Sequence, residues 1–278
     1  MNNVAIMLDS GAGIDKKEAK ELGVYLLEMP LTVNGKEIKE EISIDKLAQL
    51  MEEDNIVKTA SPIMGEIIKM YDQLLEENDY VIYIPLSRKL SGTYNLAKTI
   101  ANDYNGRVIV IDALCAAYCI TVVALMVKDL INKGVDPLKI QELVENETYM
   151  WAELMPYDLK YLKNGGRISK AAASLGNLLK IVPILKIEDG AIDVFDKVRT
   201  HKKAVNVALK TLDIENKEDY IWLILHSNCY EEAMDIKKDF EDIVHQEVII
   251  HELGSVIMAH TGPNTIGVGY VKKIKYED

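Results

Sequence analysis

The chain has 278 residues, 49% of them apolar and 27% charged, and 44 acidic side chains against 32 basic ones leave a net charge of −12. A disordered chain is excluded, and two domains are expected, with one large α/β domain as the alternative. An acidic surface repels phosphate backbones and anionic headgroups, which argues against nucleic acid or a charged membrane as partner.

Asn3 to Leu8 is a short apolar run and predicts a buried strand, broken by Asp9-Ser10-Gly11-Ala12-Gly13. Asp15 to Leu22 has helical spacing, with Gly23 as its stop. Val24 to Met29 is the next strand, and Asn34-Gly35 between Leu31-Thr32-Val33 and Lys36-Glu37-Ile38 predicts a hairpin. Ser43 caps a helix to about Glu53, and a longer helix runs from Ile63 to Glu77. Tyr80 to Pro85 is a β-type run, Gly92 to Asp103 a helix, and Arg107 to Ile111 another buried strand. A very apolar helix from Ala116 to Lys133 ends at Gly134, and Asp136-Pro137 starts the next helix with its cap and proline in the favoured places. This β-loop-α rhythm implies a mainly parallel sheet with helices on both faces.

The rhythm changes after about Thr148. Tyr149 to Leu154 reads as a strand, Asp158 to Asn164 as a short helix, and Gly165-Gly166 as a break. Ile181 to Ile187 and Ile192 to Val198 flank Glu188-Asp189-Gly190 as a hairpin. A helix from Lys202 to Leu212, a strand from Tyr220 to Leu225, a helix from Glu231 to Ile243 and a strand from Val248 to Glu252 follow. Leu253 to His260 is a further helix and Thr265 to Ile274 the last strand. The expected fold class is α/β, with a parallel-sheet domain over residues 1–150 and a mixed-sheet α/β domain over 151–278.

Several devices are missing from the sequence. No phosphate-binding Gly-x-x-x-x-Gly-Lys-Ser/Thr occurs, no Gly-x-Gly-x-x-Gly follows the first strand, and no Gly-x-Ser-x-Gly elbow is present. The five histidines, His201, His226, His245, His251 and His260, have no metal-ligand spacing with each other or with Cys115, Cys119 and Cys229. Neither a cofactor nor a metal is expected. The odd cysteine count suits a reducing cytoplasm, and no signal peptide or membrane-spanning run is recognised.

Four segments are richer in hydroxyl and glycine residues than a core requires. They are Asp9-Ser10-Gly11, Lys58-Thr59-Ala60-Ser61-Pro62, Pro85 to Tyr94, and Ala259-His260-Thr261-Gly262-Pro263-Asn264. In an open parallel sheet, ligands sit where strands hand over to helix N-termini, and those termini offer unpaired N–H groups. Taken singly, Ser61 and Ser91 read as plain helix caps before they read as ligand groups.

In combination these segments resemble the DegV family of bacterial fatty-acid-binding proteins. The resemblance is carried by Asp9-Ser10, Thr59-x-x-Pro62, Ser87-x-x-Leu90-Ser91-Gly92-Thr93-Tyr94, and Leu162-Lys163-Asn164-Gly165-Gly166-Arg167-Ile168-Ser169. It continues through Pro183-Ile184-Leu185, Lys197-Val198-Arg199-Thr200 and Ala259-His260-Thr261-Gly262-Pro263, in the family's order. The chain departs from the family at Ala60-Ser61, where Ser-Gln is usual. It departs again at Asp112-Ala113-Leu114-Cys115-Ala116-Ala117, where Asp-Ser and a later Ser/Gly pair are usual.

The resemblance implies one long-chain fatty acid buried in an apolar tunnel between two domains. Its carboxyl group would be held by Thr59, Ser91 and His260, with Ser61 and Gly92 in support. It implies a lipid carrier that catalyses nothing itself and presents the carboxyl group to a partner fatty acid kinase, with Arg167 and Arg199 facing that partner or a phosphoryl group. Lys163 and Lys170 would extend the basic patch, and Leu114, Tyr118, Val122 and Leu125 are candidate tunnel wall. Two alternatives stand beside it: a small-carbonyl enzyme related to dihydroxyacetone kinase domains, and a regulatory protein-binding module.

Overall fold

The computed structural model describes residues 3–38, 42–168 and 181–276. In chain order the elements begin β1 (Val4–Asp9), α1 (Lys16–Leu22), β2 (Tyr25–Leu27), β3 (Leu31–Val33), β4 (Lys36–Ile38), α2 (Ile44–Glu52) and β5 (Val57–Thr59). They continue with α3 (Met64–Glu77), β6 (Tyr80–Ile84), α4 (Thr93–Ala101), β7 (Val108–Val110), α5 (Tyr118–Asn132) and α6 (Pro137–Glu147). Then come β8 (Met150–Met155), α7 (Lys160–Gly165), β9 (Val182–Glu188), β10 (Ala191–Val198), α8 (His201–Thr211) and β11 (Tyr220–His226). The last are α9 (Tyr230–Val244), β12 (Val248–Glu252), α10 (Ser255–Thr261) and β13 (Ile266–Lys272).

Two compact units form, and neither is continuous in sequence. The first contains Met1–Pro30, Thr59–Tyr149 and Lys273–Asp278; the second contains Leu31–Lys58 and Met150–Lys272. A single cut at 150/151 does not describe this division. The segment 31–58 belongs with the second unit because its apolar side chains are buried there. Leu31, Leu47, Ala48 and Met51 share a cluster with Met258 and Ala259 of α10.

The first unit is built on a sheet of order β2-β1-β6-β7, parallel at every pairing. Its strands are continuous apolar runs because helices cover them: Met7, Val81, Tyr83 and Val110 pack with Ile67, Tyr71 and Leu74 of α3 and Ala97 and Ile100 of α4. All the loops that follow β1, β6 and β7 therefore leave one edge, the carboxyl edge, where Asp9-Ser10-Gly11 and the segment from Pro85 lie.

The second unit carries a mixed sheet of order β10-β9-β8-β13-β11-β12. Only β11 and β12 are parallel, joined through α9. The core on one face of this sheet contains Trp222, which meets Phe240 edge-on at 5.8 Å and Tyr270 at 5.2 Å. Such pairs contribute about 0.5–1.5 kcal/mol each beyond the area they bury. The expected hairpin Leu31–Ile38 forms, and it gains a third strand, β5, to make a small sheet of order β4-β3-β5. Periodicity missed β5 because three residues, Val57-Lys58-Thr59, are too few to show alternation.

Candidate ligand-binding site

In the first unit the loops are tied together by Asp9, at the end of β1. One carboxylate oxygen accepts the Gly11 N–H at 2.9 Å; the other accepts the Leu86 N–H at 3.0 Å and the Tyr83 hydroxyl at 3.3 Å. Asp9 is fully buried. Burial pushes its carboxyl up to about 6, against the lowering effect of those three bonds. A side chain at Gly11 has no room, since its Cβ would lie 2.7 Å from the Asp9 Oδ1 and 3.1 Å from the Leu86 Cβ. Ser10 accepts the Met29 N–H at 2.9 Å. Asp9 and Ser10 are thus framework, holding Gly11, Met29 and Leu86, the last at the start of the loop after β6.

Thr59 ends β5 and is the residue at which the chain re-enters the first unit, where the Ala60 N–H donates to the Pro30 carbonyl at 3.0 Å. Ser61 is not a helix cap. Helix α3 begins at Met64 with Ile63 at the N-cap position and no side-chain cap. Instead the Ser61 hydroxyl faces Gly92, where an added Cβ would meet its Oγ at 3.5 Å.

Ser91 is buried, and its Oγ lies 2.8 Å from the Thr93 Oγ1 while accepting the Thr93 N–H at 3.2 Å. The cap alternative therefore holds in part for Ser91: it serves the first N–H of α4, whose N-cap position is Gly92. The structure thus brings Ser61, Gly92 and Ser91 together and adds the fully buried Thr93, a motif residue to which the sequence assigns no ligand role. Its signal was present in Gly92-Thr93-Tyr94, where a hydroxyl opens a helix.

The proposed apolar wall is more mixed than its helical spacing suggests. Val122 is buried, but Leu125 is 38% exposed, and Tyr118 hydrogen-bonds Glu18, which together with burial raises its hydroxyl pKa. Just ahead of α5 the backbone is unusual. Leu114 has φ of 51°, and Ala117 has φ of 54° with ψ of −150°, a region that essentially only glycine occupies. These are the positions where the sequence departs from the family pattern. Asp112, next to them, is buried and pairs with the half-exposed Arg88 at 3.1 Å. Burial raises its pKa, and the Leu114 N–H and Arg88 oppose that.

In the second unit His260 lies in the last turn of α10, over Gly165 at the end of α7. Burial pushes its pKa down to about 4, and the nearby Arg167 cation adds to the shift, so the imidazole is neutral at ordinary pH. Arg167 is half-buried and donates from Nη1 to the Gly165 carbonyl at 2.6 Å. Arg199 is exposed, next to Thr200, which caps α8 by accepting the Lys203 N–H at 3.2 Å. Lys163 lies on α7, while Ser169 and Lys170 lie outside the described residues. Thr59 and Ser91 belong to the first unit and His260, Arg167 and Arg199 to the second.

Among the described residues no group of three or more His, Cys, Asp or Glu side chains is placed to hold a metal, and no helix is long and apolar enough to cross a membrane.

A family profile describing uncharacterised proteins of the DegV family matches residues 3–273. The chain belongs to the DegV family. A DegV domain-containing protein of Halalkalibacterium halodurans is 32% identical over 284 residues, covering 98% of this chain and 100% of the relative. Among solved structures, a fatty-acid-binding DegV family protein from Thermus thermophilus superposes with a TM-score of 0.87 at 27% identity, over 98% of this chain and 99% of that one. DegV of Bacillus subtilis, described as a fatty acid binding protein, superposes with a TM-score of 0.86 at 28% identity, over 98% and 100%. The DegV fold expected from the sequence motifs, a parallel sheet followed by a mixed one, is the fold found.

Proposed function

We propose that this chain binds a long-chain fatty acid and acts as a carrier. The observation that carries this is the likeness over 98% of the chain to two DegV proteins described as fatty-acid binding. In this role the carboxyl group is held by Thr59, Ser91 and His260, with Ser61 and Gly92 in support. The chemistry suits the task. A buried carboxyl group must find hydrogen-bond donors or protonate. Hydroxyls and a neutral imidazole supply donors without placing a permanent cation in the clamp itself.

The tail supplies the affinity: about fourteen methylenes at about 0.8 kcal/mol each contribute roughly 11 kcal/mol before the losses of ordering. The carrier performs no chemistry unaided and presents the carboxyl group to a partner kinase. Arg167 and Arg199 face that partner or the phosphoryl group, because guanidinium forks meet carboxylate and phosphate oxygens in pairs. Three free thiols fit a cytoplasmic setting.

The test is solvent extraction of freshly purified protein followed by mass spectrometry. A stoichiometric acyl chain is expected. If none is extracted and none binds when oleate is added, the carrier role is wrong. The kinase step is tested separately, by looking for acyl phosphate only when chain, fatty acid, ATP and a candidate kinase are combined.

A further inference from the structure

Helices α7 and α10 are locked by a reciprocal arrangement of rings on glycines. The His260 ring of α10 lies on Gly165 of α7, and the Tyr161 ring of α7 lies on Gly262, which follows α10. A Cβ built on Gly165 would overlap the His260 Nδ1 and come within 3.1 Å of its Cε1 and 3.3 Å of its Cγ. A Cβ on Gly262 would come within 2.7 Å of the Tyr161 Cε2 and 3.1 Å of its Cγ. Tyr161 donates from its hydroxyl to the Met51 carbonyl at 3.3 Å, and His260 projects from a helix.

The two glycines differ in kind. Gly262 has φ of 85° and ψ of 167°, a backbone that alone calls for glycine. Gly165 does not have a positive φ and is the last residue of a helix. There alanine is the better helix former, by up to about 1 kcal/mol in a helix interior. Backbone conformation therefore gives no reason for a glycine at 165. The imidazole above it does.

We propose that Gly165 is a positioning residue for His260: its missing side chain is the seat that fixes the imidazole. The Gly165 carbonyl also accepts the Arg167 guanidinium, so one residue sets the ring on one side and anchors the neighbouring cation on the other. The consequence for lipid rests on the carrier role proposed above; the seating itself does not.

The experiment is a double-mutant cycle in the full, lipid-stripped chain with Gly165→Ala, His260→Ala and both together. Thermal midpoints, the His260 imidazole resonances against pH, and oleate affinity by calorimetry are read. Gly165→Ala alone is expected to lower the midpoint by about 3 °C or more, because overpacking a filled site outweighs the helix-propensity gain. In the His260→Ala background the same change is expected to leave the midpoint level or raise it. The His260 titration is expected to move up toward its ordinary range, and oleate binding to weaken about tenfold, as when one hydrogen bond to a charged group is lost.

If Gly165→Ala does not fold but the double variant does, the coupling is established directly. Equal destabilisation with and without His260, an unmoved His260 titration, or failure of both alanine variants to fold overturns the proposal. If the cycle couples but the unmodified chain takes up no oleate, the seating stands and the carrier role falls.

Discussion

The Asp9 carboxylate at the end of β1 accepts the Leu86 N–H of the loop after β6 at 3.0 Å, across a separation of 77 residues. Through that bond the first strand fixes the start of the loop that carries Ser87, Ser91 and Gly92. The Tyr83 hydroxyl and Gly11 N–H complete the arrangement on the same carboxylate.

Asp9→Ala leaves those three donors buried without an acceptor. Each hydrogen bond to a charged group is worth about 1.5–3 kcal/mol, offset here by relief of the buried charge. A net loss of about 3 kcal/mol in urea unfolding is expected. Stability unchanged within 1 kcal/mol would show that the loop is held by other contacts.

Ala117 sits ahead of α5 in a conformation suited to glycine, with φ of 54° and ψ of −150°. Strain of this kind costs about 1–3 kcal/mol, and glycine recovers it less the extra entropy it carries in the unfolded chain. Ala117→Gly is therefore expected to stabilise by about 1 kcal/mol and raise the thermal midpoint by about 2–4 °C. A lower midpoint would count against the strained backbone.

Much of the architecture could be read from residues alone, for identifiable reasons. Residues 4–8 and Tyr80–Ile84 are apolar throughout because both faces of their sheet are covered, so they announce a parallel core. Asp136-Pro137 and Ser43 cap helices where local chemistry says they should. What could not be read depends on distant partners. Residues 31–58 join the second unit because Leu47 and Met51 pack with Met258, a contact invisible to any local pattern. At the site, the motif around Ser91 was plain, but the role of Thr93 as its hydroxyl partner is a matter of geometry. Gly165 reads as half of a Gly-Gly break, and only the folded chain places His260 over it.

Ser91 offers the sharpest separation of binding from stability in the first unit. Its hydroxyl serves the Thr93 N–H and Oγ1, both in the first turn of α4. Ser91→Ala is expected to cost oleate affinity about tenfold, the worth of roughly one hydrogen bond to a charged group. Loss of a cap-type bond is expected to lower stability by only about 1 kcal/mol. Undiminished affinity in a calorimetric titration would remove Ser91 from the carboxyl clamp and leave it a cap.

The second unit carries two buried groups whose pH dependences oppose each other. Glu153 is fully buried, bonded by the Thr211 hydroxyl and by Trp151 Nε1 at 3.3 Å, and burial pushes its carboxyl up from 4.5 to about 7. His260 is pushed down from 6.5 to about 4 by burial and Arg167. For Glu153 the folded state binds the proton more tightly, so its contribution is complete below 4.5 and is lost as pH rises toward 7. For His260 the folded state holds the proton more weakly, so its contribution is complete above 6.5 and is lost as pH falls toward 4.

Each swing is on the order of 3 kcal/mol, and the two slopes cancel where their ranges overlap. Glu153→Gln keeps an oxygen acceptor for Thr211 and Trp151 while removing the ionisation. Its stability is expected to lie about 1 kcal/mol below the parent near pH 4, the cost of one buried amide N–H group, and to exceed it by about 2 kcal/mol at pH 8. His260→Gln is expected to flatten the acid side alone. Urea midpoints of the three proteins between pH 4 and 8 provide the check, and curves that run parallel throughout would show that neither group titrates where its burial places it.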